Sequence, residues 1–348
     1  MDQQMPNPVR RSHVVFASWR DGSTRVLHAP ALLGGVYVLT LVAAAPLALG
    51  VRHAIEGHLG RSLMANRAAD SVNYDWWQEF LSQTSGVGAT FSPAVIGFAA
   101  TLDSLSGVLD ARAPSALLVG GLAAYLLVWT FLAGGILDRY ARRRPTRAHG
   151  FFAAAGVFFW RFLRLGLVAA LTYWILFALV HPWLFGDVYG RLTRDTTAER
   201  VAFAWRFACY AIFGAALVAA NVVFDYARIR LVVEDRRSAI GALAAALSFV
   251  SRRARRVLAL YALNALLFVG VLLVWAFTAP GAGGVGVSMW AGFGATQIYV
   301  LARLTTKMQF MASQTALFQA SLAHAGYTAA PQPAWPESAA AEAVKSHV

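Results

Sequence analysis

The feature that most constrains this chain is the stretch from residue 219 to 256, where an apolar run passes directly into an arginine-rich segment. The run meets Asp225, Arg228 and Arg230 while it is still hydrophobic enough to lie at or near membrane depth. It then breaks at 234–237 and restarts as an amphipathic helix that ends in four arginines. Because Lys and Arg concentrate in cytoplasmic loops, this stretch predicts an inner-face boundary and orients the whole chain.

Composition supports a membrane protein. The chain is 58% hydrophobic and only 14% charged, whereas soluble proteins are about 45–50% apolar. We therefore expect an all-α, polytopic transmembrane helical bundle with about six spans and additional in-plane amphipathic helices. The predicted spans are 31–50, 115–137, 165–184, 207–233, 257–278 and 288–308, the last continuing as a helix to Leu322.

Three regions follow from this pattern. Residues 1–29 are expected to form a cytoplasmic amphipathic segment, 30–322 the membrane domain, and 323–348 a disordered cytoplasmic tail. Within the membrane domain, 51–114 is expected on the outer side, with an amphipathic helix running from Ser92 to Leu109. An uncleaved anchor suits the apolar run 31–50 better than a signal peptide, since about 30 residues precede a run of about 20.

The net charge of +13 could suggest a nucleic-acid partner. With both termini inside, however, most of the 30 Lys and Arg residues fall on the cytoplasmic side of the predicted topology. The positive-inside bias accounts for the charge, so we expect no nucleic acid. The expected partners are the bilayer and anionic lipid headgroups at the inner face of a bacterial cytoplasmic membrane.

Polar residues in the fourth span form the best candidate site. Asn221, Asp225 and Arg228 fall at i, i+4 and i+7, which places them on one helical face. Ionisable groups inside a membrane are costly and usually paired. One interpretation is structural: an Asp225–Arg228 pair, with Asn221 bonded to a neighbouring helix such as the one that carries Asn264. The other is a substrate or ion site open to the cytoplasm.

No other motif predicts chemistry. His53 and His58 are five residues apart and do not share a helical face, so with Glu56 they make a poor metal site. The sequence contains no P-loop, GxGxxG or GxSxG motif. We therefore expect no catalytic residue, no metal and no cofactor.

Repetition is weak. The triplets at 140–142, 226–228 and 301–303 are similar, which is typical either of three two-helix units or simply of Tyr and Arg at an inner interface. Small residues in the spans, such as Gly120 and Gly214, would serve close helix packing or a homo-oligomer, and both alternatives stay open.

The stretch Asp-Tyr-Ala-Arg-Ile-Arg to Glu-Asp-Arg-Arg at 225–237, with the Ala-rich helix after it, resembles a group of bacterial multi-span proteins. These include stand-alone relatives of the membrane domain fused to some glycerophosphodiester phosphodiesterases. The resemblance implies a fold type for the chain from residue 115 onward and carries over no active-site residue.

Three classes of function remain. A non-enzymatic membrane component that organises lipid or a partner protein needs nothing beyond these features, and we place it first. A small transporter or permease with a polar site around Asp225 is second. An intramembrane enzyme is third, because no nucleophile and base are paired in the sequence.

Overall fold

The computed structural model describes residues 13–60, 62–70, 73–91, 98–112, 116–280 and 286–322. These residues form helices and turns with no strand among them, which confirms the all-α class for this part of the chain. The predicted tail at 323–348, the first twelve residues of the N-terminal segment and the start of the helix predicted from Ser92 lie outside the described residues.

The α-helices follow one another through short connections. In chain order they are α1 (His13–Leu27), α2 (Pro30–Leu59), α3 (Met64–Asp70), α4 (Tyr74–Gln83), α5 (Phe98–Leu109), α6 (Ala116–Arg142), α7 (Ala148–Ile175), α8 (Tyr189–Thr193), α9 (Glu199–Val233), α10 (Ala239–Arg252), α11 (Ala254–Thr278) and α12 (Val287–Ser321). Two π-helical segments, Leu176–Val180 and Trp183–Val188, join α7 to α8 around Pro182.

Five of the predicted spans are long apolar helices. The helices α2, α6, α7 with its π-helical extension, α9 and α11 are each long and apolar enough to cross a membrane. Large apolar side chains remain exposed on their outward faces, as lipid contact requires. Examples are Leu167, Trp174, Phe207, Ile212, Leu266, Val274 and Phe277.

The sixth predicted span corresponds to α12, which is 35 residues long but is not among these five apolar helices. Its second half is rich in buried polar side chains, and Gln309, Ser313, Gln314 and Thr315 are each at most 3% exposed. A helix with this face suits a protein interior better than lipid. The count of six spans therefore stays a prediction.

The N-terminal helix α1 covers that polar half of α12. Gly22 permits the approach, since a Cβ there would lie only 2.7 Å from the backbone of Ser313. The Gln309 amide donates across the contact to the Trp19 carbonyl at 2.9 Å and to the Ser23 hydroxyl at 3.0 Å. One face of the amphipathic helix α1 thus packs against α12.

The same two helices close the C-terminal end of α6, whose last carbonyls have no partner within the helix. Arg25 of α1 donates to the Tyr140 carbonyl and to the Gln319 side chain, each at 2.9 Å. Gln319 of α12 donates to the Ala141 carbonyl, also at 2.9 Å. Burial lowers the pKa of Arg25, and the Asp21 carboxylate at 2.8 Å opposes that shift.

Helix α10 lies against α9. Ser238 caps it by accepting from the Gly241 amide at 3.1 Å, and its face of Ala242, Ala246 and Phe249 is buried. Ile240 and Leu247 on another face remain exposed. This geometry leaves an apolar face available to a membrane surface.

Candidate functional site

A cavity of about 630 Å³ lies inside the bundle, with walls formed by α2, α6, α7, α9, α11 and α12. Its size falls in the range of about 300–1,000 Å³ that small-molecule sites occupy. Much of the wall is apolar, with Leu126, Phe162, Leu165, Phe268 and Val300 among the lining side chains.

The packing of the helices explains why this space is hollow. Helices α6 and α7 approach closely at Gly134, where a Cβ would lie 3.0 Å from the Phe158 Cβ and 3.3 Å from the Ala155 backbone. Helices α9 and α11, in contrast, do not pack closely and are bridged at this level by a hydrogen bond from the Asn221 amide to the Tyr261 hydroxyl. The cavity extends into the gap between α9 and α11.

The polar face of α9 points into the cavity. Asn221, Asp225 and Arg228 all line it, as expected from their spacing. The Arg228 guanidinium lies 3.5 Å from the Asp225 carboxylate, and Gln314 donates to the other carboxylate oxygen at 3.3 Å. The structural interpretation is therefore also visible here, since Asp225 has two partners and Asn221 bonds to α11.

Asn264 does not join this cluster. It is fully buried between α11 and α12, where its amide donates to the Ser313 hydroxyl at 2.9 Å. It is not among the residues that line the cavity. The structure thus brings together three of the four predicted residues and assigns the fourth to helix packing.

Two further cations enter the cavity from α12. Arg303 and Lys307 are one helical turn apart, so both side chains lie on the face that lines it. The Lys307 ammonium lies 3.3 Å from the centre of the Trp129 ring and 3.2 Å from the Tyr125 hydroxyl. An indole ring stabilises a cation at this distance without neutralising it.

The charges in the cavity do not balance. Arg228, Arg303 and Lys307 face a single carboxylate, that of Asp225, and Lys307 lies within electrostatic range of the other three groups. No carboxylate in the described part of the chain lies within ion-pair distance of Arg303 or Lys307. Both side chains nevertheless remain exposed, because the space they face is hollow.

The cations lie about one bilayer thickness from the far ends of the apolar runs in the helices that carry them. At about 1.5 Å per residue, the run from Arg206 to Arg228 of α9 is about 33 Å long, and the run from Val287 to Lys307 of α12 is about 30 Å long. The hydrocarbon core of a bilayer is about 30 Å thick. The two lengths are thus similar to each other and to the thickness of that core.

In the topology predicted from the sequence, Arg303 and Lys307 belong to the cytoplasmic charges and to no site. Their spacing of four residues, the same as that from Asn221 to Asp225, was a signal that they share a face. Nothing in the sequence indicates that Tyr125, Tyr261 and Gln314 line the cavity, because this depends on which helices become neighbours.

The weaker candidates have structural partners. Trp76 donates to one ring nitrogen of His58 at 3.1 Å, while the other nitrogen lies 3.2 Å from the Gln83 side-chain oxygen. Glu56 pairs with Arg52 at 2.8 Å. Among the described residues, no group of three or more His, Cys, Asp or Glu side chains could hold a metal ion.

Comparison with known proteins gave no match to a family model, a curated protein or a solved structure. The resemblance noted for residues 225–237 therefore stays a prediction, and the functional argument rests on the cavity.

Proposed function

We propose that this chain is a six-span protein of the bacterial cytoplasmic membrane with both termini in the cytoplasm. The five long apolar helices and the large apolar side chains exposed on them support membrane insertion. The arginines around α10, among them Arg236, Arg252 and Arg255, support the orientation, since they would meet the anionic inner surface.

Reporter fusions test this topology. Fusions after Arg147 and Arg256 should report the cytoplasm, and a fusion near Asn73 should report the outer side. A fusion after Arg147 that reports the outer side would overturn the orientation.

In this topology, the protein is a non-enzymatic membrane component that binds an anionic group in its cavity. The observation that supports this is the excess of cations: Arg228, Arg303 and Lys307 face the one carboxylate of Asp225. A charged side chain in the membrane interior costs roughly 2.5–3.5 kcal/mol, so such groups are usually paired. An anionic ligand would supply the missing counter-charge.

Two matched double variants test the binding site. Arg303→Gln with Lys307→Gln removes two charges from the cavity, whereas Arg252→Gln with Arg255→Gln removes two exposed charges from the inner end of the bundle. We expect phosphorylated ligands, soluble or lipid, to raise the thermal midpoint of the purified wild type and of the second variant but not of the first. If no anionic ligand distinguishes the two variants, the cavity is not an anion site.

Transport is the second candidate, and the position of Asp225 supports it. A carboxylate beside three cations weakens an anion site, so its presence calls for a separate role. A group that binds a coupling cation or carries a proton would need this carboxylate, and an amide could not replace it.

Proteoliposomes separate transport from binding. With radiolabelled glycerol 3-phosphate as the probe and an imposed pH gradient, Asp225→Asn should bind the probe but not accumulate it, and Asp225→Glu should retain part of the uptake. Uptake by Asp225→Asn equal to that of the wild type, or no uptake by the wild type itself, would exclude this candidate.

A further inference from the structure

We infer that the ligand of the cavity is an anionic phospholipid, with its phosphate on Arg303, Lys307 and Arg228 and its acyl chains along the apolar wall. The inference rests on the anion site proposed above and names the class of molecule that fills it. It depends on three observations: the depth of the cations in the proposed topology, the nature of the remaining wall and the exposed apolar surface next to the cavity.

The first observation is depth. Arg228 and Lys307 lie near the inner edge of the hydrocarbon core, by the lengths of α9 and α12. This is the level at which the phosphates of the inner leaflet meet the acyl chains. A lipid already in that leaflet would reach these cations without leaving the membrane, whereas a soluble anion would first have to be desolvated.

The second observation is the chemistry of the wall. Apart from its charged and polar groups, the cavity is lined by apolar side chains such as Leu126, Leu165, Ala169, Phe268 and Val300. A small hydrophilic anion would leave this surface in contact with water, which is unfavourable. An acyl chain would cover it, and a guanidinium would at the same time bind the phosphate.

The third observation is that the helices present exposed apolar surface beyond the cavity. On α6, Leu126 at the cavity wall is 54% exposed and Leu122, which does not line the cavity, is 52% exposed, and on α12 Phe293 and Ile298 are 54% and 69% exposed. Tyr125, whose hydroxyl accepts from Lys307, is itself 36% exposed. The cavity thus borders on surface that contacts lipid, so acyl chains too long for it can extend into the bilayer.

Asp225 adds a preference among headgroups. Its carboxylate accepts from Arg228 and Gln314 and lines the cavity, and a carboxylate has about four lone-pair sites, so it can accept a further hydrogen bond. It can accept from a hydroxyl group on the ligand while the three cations hold the phosphate. Phosphatidylglycerol offers this combination, and phosphatidylcholine offers neither a net negative charge nor a hydroxyl donor.

The experiment uses the full chain in an uncharged detergent and counts bound lipids by native mass spectrometry. The probes are phosphatidylglycerol, phosphatidylcholine with the same acyl chains, and glycerol 3-phosphate. We expect phosphatidylglycerol to bind the wild type, and Arg303→Gln with Lys307→Gln to weaken its binding about tenfold or more, since each lost charge-assisted hydrogen bond is worth about an order of magnitude. Arg252→Gln with Arg255→Gln should bind it as the wild type does.

A second pair of variants tests the acyl-chain wall while the charges stay in place. Gly166 of α7 lines the cavity and Gly156 of the same helix does not, and a Cβ at either position would meet no atom within 4 Å. The leucine side chain of Gly166→Leu should fill part of the cavity and weaken phosphatidylglycerol binding, whereas Gly156→Leu should leave this binding unchanged.

The outcomes separate this inference from the function on which it rests. If glycerol 3-phosphate binds through the cavity cations and phosphatidylglycerol does not, the lipid is excluded and the anion site stands. If both double variants bind phosphatidylglycerol equally, headgroups are attracted only to the general charge of the inner face and the inference is wrong. If neither probe binds, the anion site is also excluded.

Discussion

A single methyl group at Gly22 should separate α1 from α12. In the native structure a Cβ at this position would lie 2.7 Å from three atoms of Ser313, two of them backbone atoms. Backbone atoms cannot rotate away, so Gly22→Ala must push the two helices apart. This displacement would also lengthen the hydrogen bonds from Gln309 to Trp19 and Ser23.

The expected loss is about 1–3 kcal/mol, the usual effect of forcing extra atoms into a packed contact. Alanine is otherwise the better helix former, by about 1 kcal/mol over glycine. Gly34 of α2 supplies the control, because a Cβ there would meet no atom within 4 Å. Gly34→Ala should therefore leave stability unchanged or raise it.

Thermal unfolding of both variants in the same detergent measures this difference. The midpoint of Gly22→Ala should fall below that of the wild type, and the midpoint of Gly34→Ala should not. A Gly22→Ala protein as stable as Gly34→Ala would show that α1 does not pack closely on α12, and the argument for their contact would fail.

Other contacts give further predictions. A double-mutant cycle of Asn264→Ala and Ser313→Ala should show a coupling of about 0.5–1.5 kcal/mol, measured by the same unfolding assay, because the pair shares one buried hydrogen bond; additive losses would exclude the bond. Arg25→Lys should destabilise the protein although it keeps the charge, since an ammonium lacks the fork by which one guanidinium nitrogen reaches the Tyr140 carbonyl and Gln319 while the other reaches Asp21; a fully stable variant would contradict that geometry. Tyr210→Phe should raise the pKa of Asp110, because the Tyr210 hydroxyl donates to that carboxylate at 2.5 Å and is the largest cause of its lowered pKa. In the wild type the stabilisation from Asp110 is present above its unfolded pKa and is lost as the pH falls through its lower folded pKa, so Tyr210→Phe should be less stable than the wild type above that range and should lose less stability on acid titration; identical acid profiles would refute this.

The helices could be predicted from the sequence because hydrophobic periodicity and length are local properties. The apolar run predicted at 257–278, for example, is α11, which begins three residues earlier. Helix α12 was harder to interpret, since its apolar and polar halves form one continuous helix. Only the contact with α1, almost 300 residues earlier in the chain, shows why its buried face can be polar.

The site was predictable where its residues share one helix. The spacing of Asn221, Asp225 and Arg228 was sufficient to place them on one face of α9. Arg303 and Lys307 could be placed on one face of α12 in the same way. The sequence does not predict, however, that this face lies opposite α9 across a cavity, because that depends on how the helices pack. Asn264 shows the converse, since a polar residue in a span can serve packing alone.

The contact between α1 and α12 also sets an order of assembly. Its hydrogen bond from Gln309 to Trp19 joins residues 290 positions apart, so among the described helices α1 is synthesised before the five long apolar ones and α12 after them. At about 5–20 residues per second, α1 waits roughly 15–60 s for α12 to be made. During that interval its apolar residues have no protein partner on α12, and the membrane surface is the nearest place to cover them. The Ala141 carbonyl at the end of α6 also lacks its Gln319 donor until then, so this end of the bundle can close only when α12 has been made.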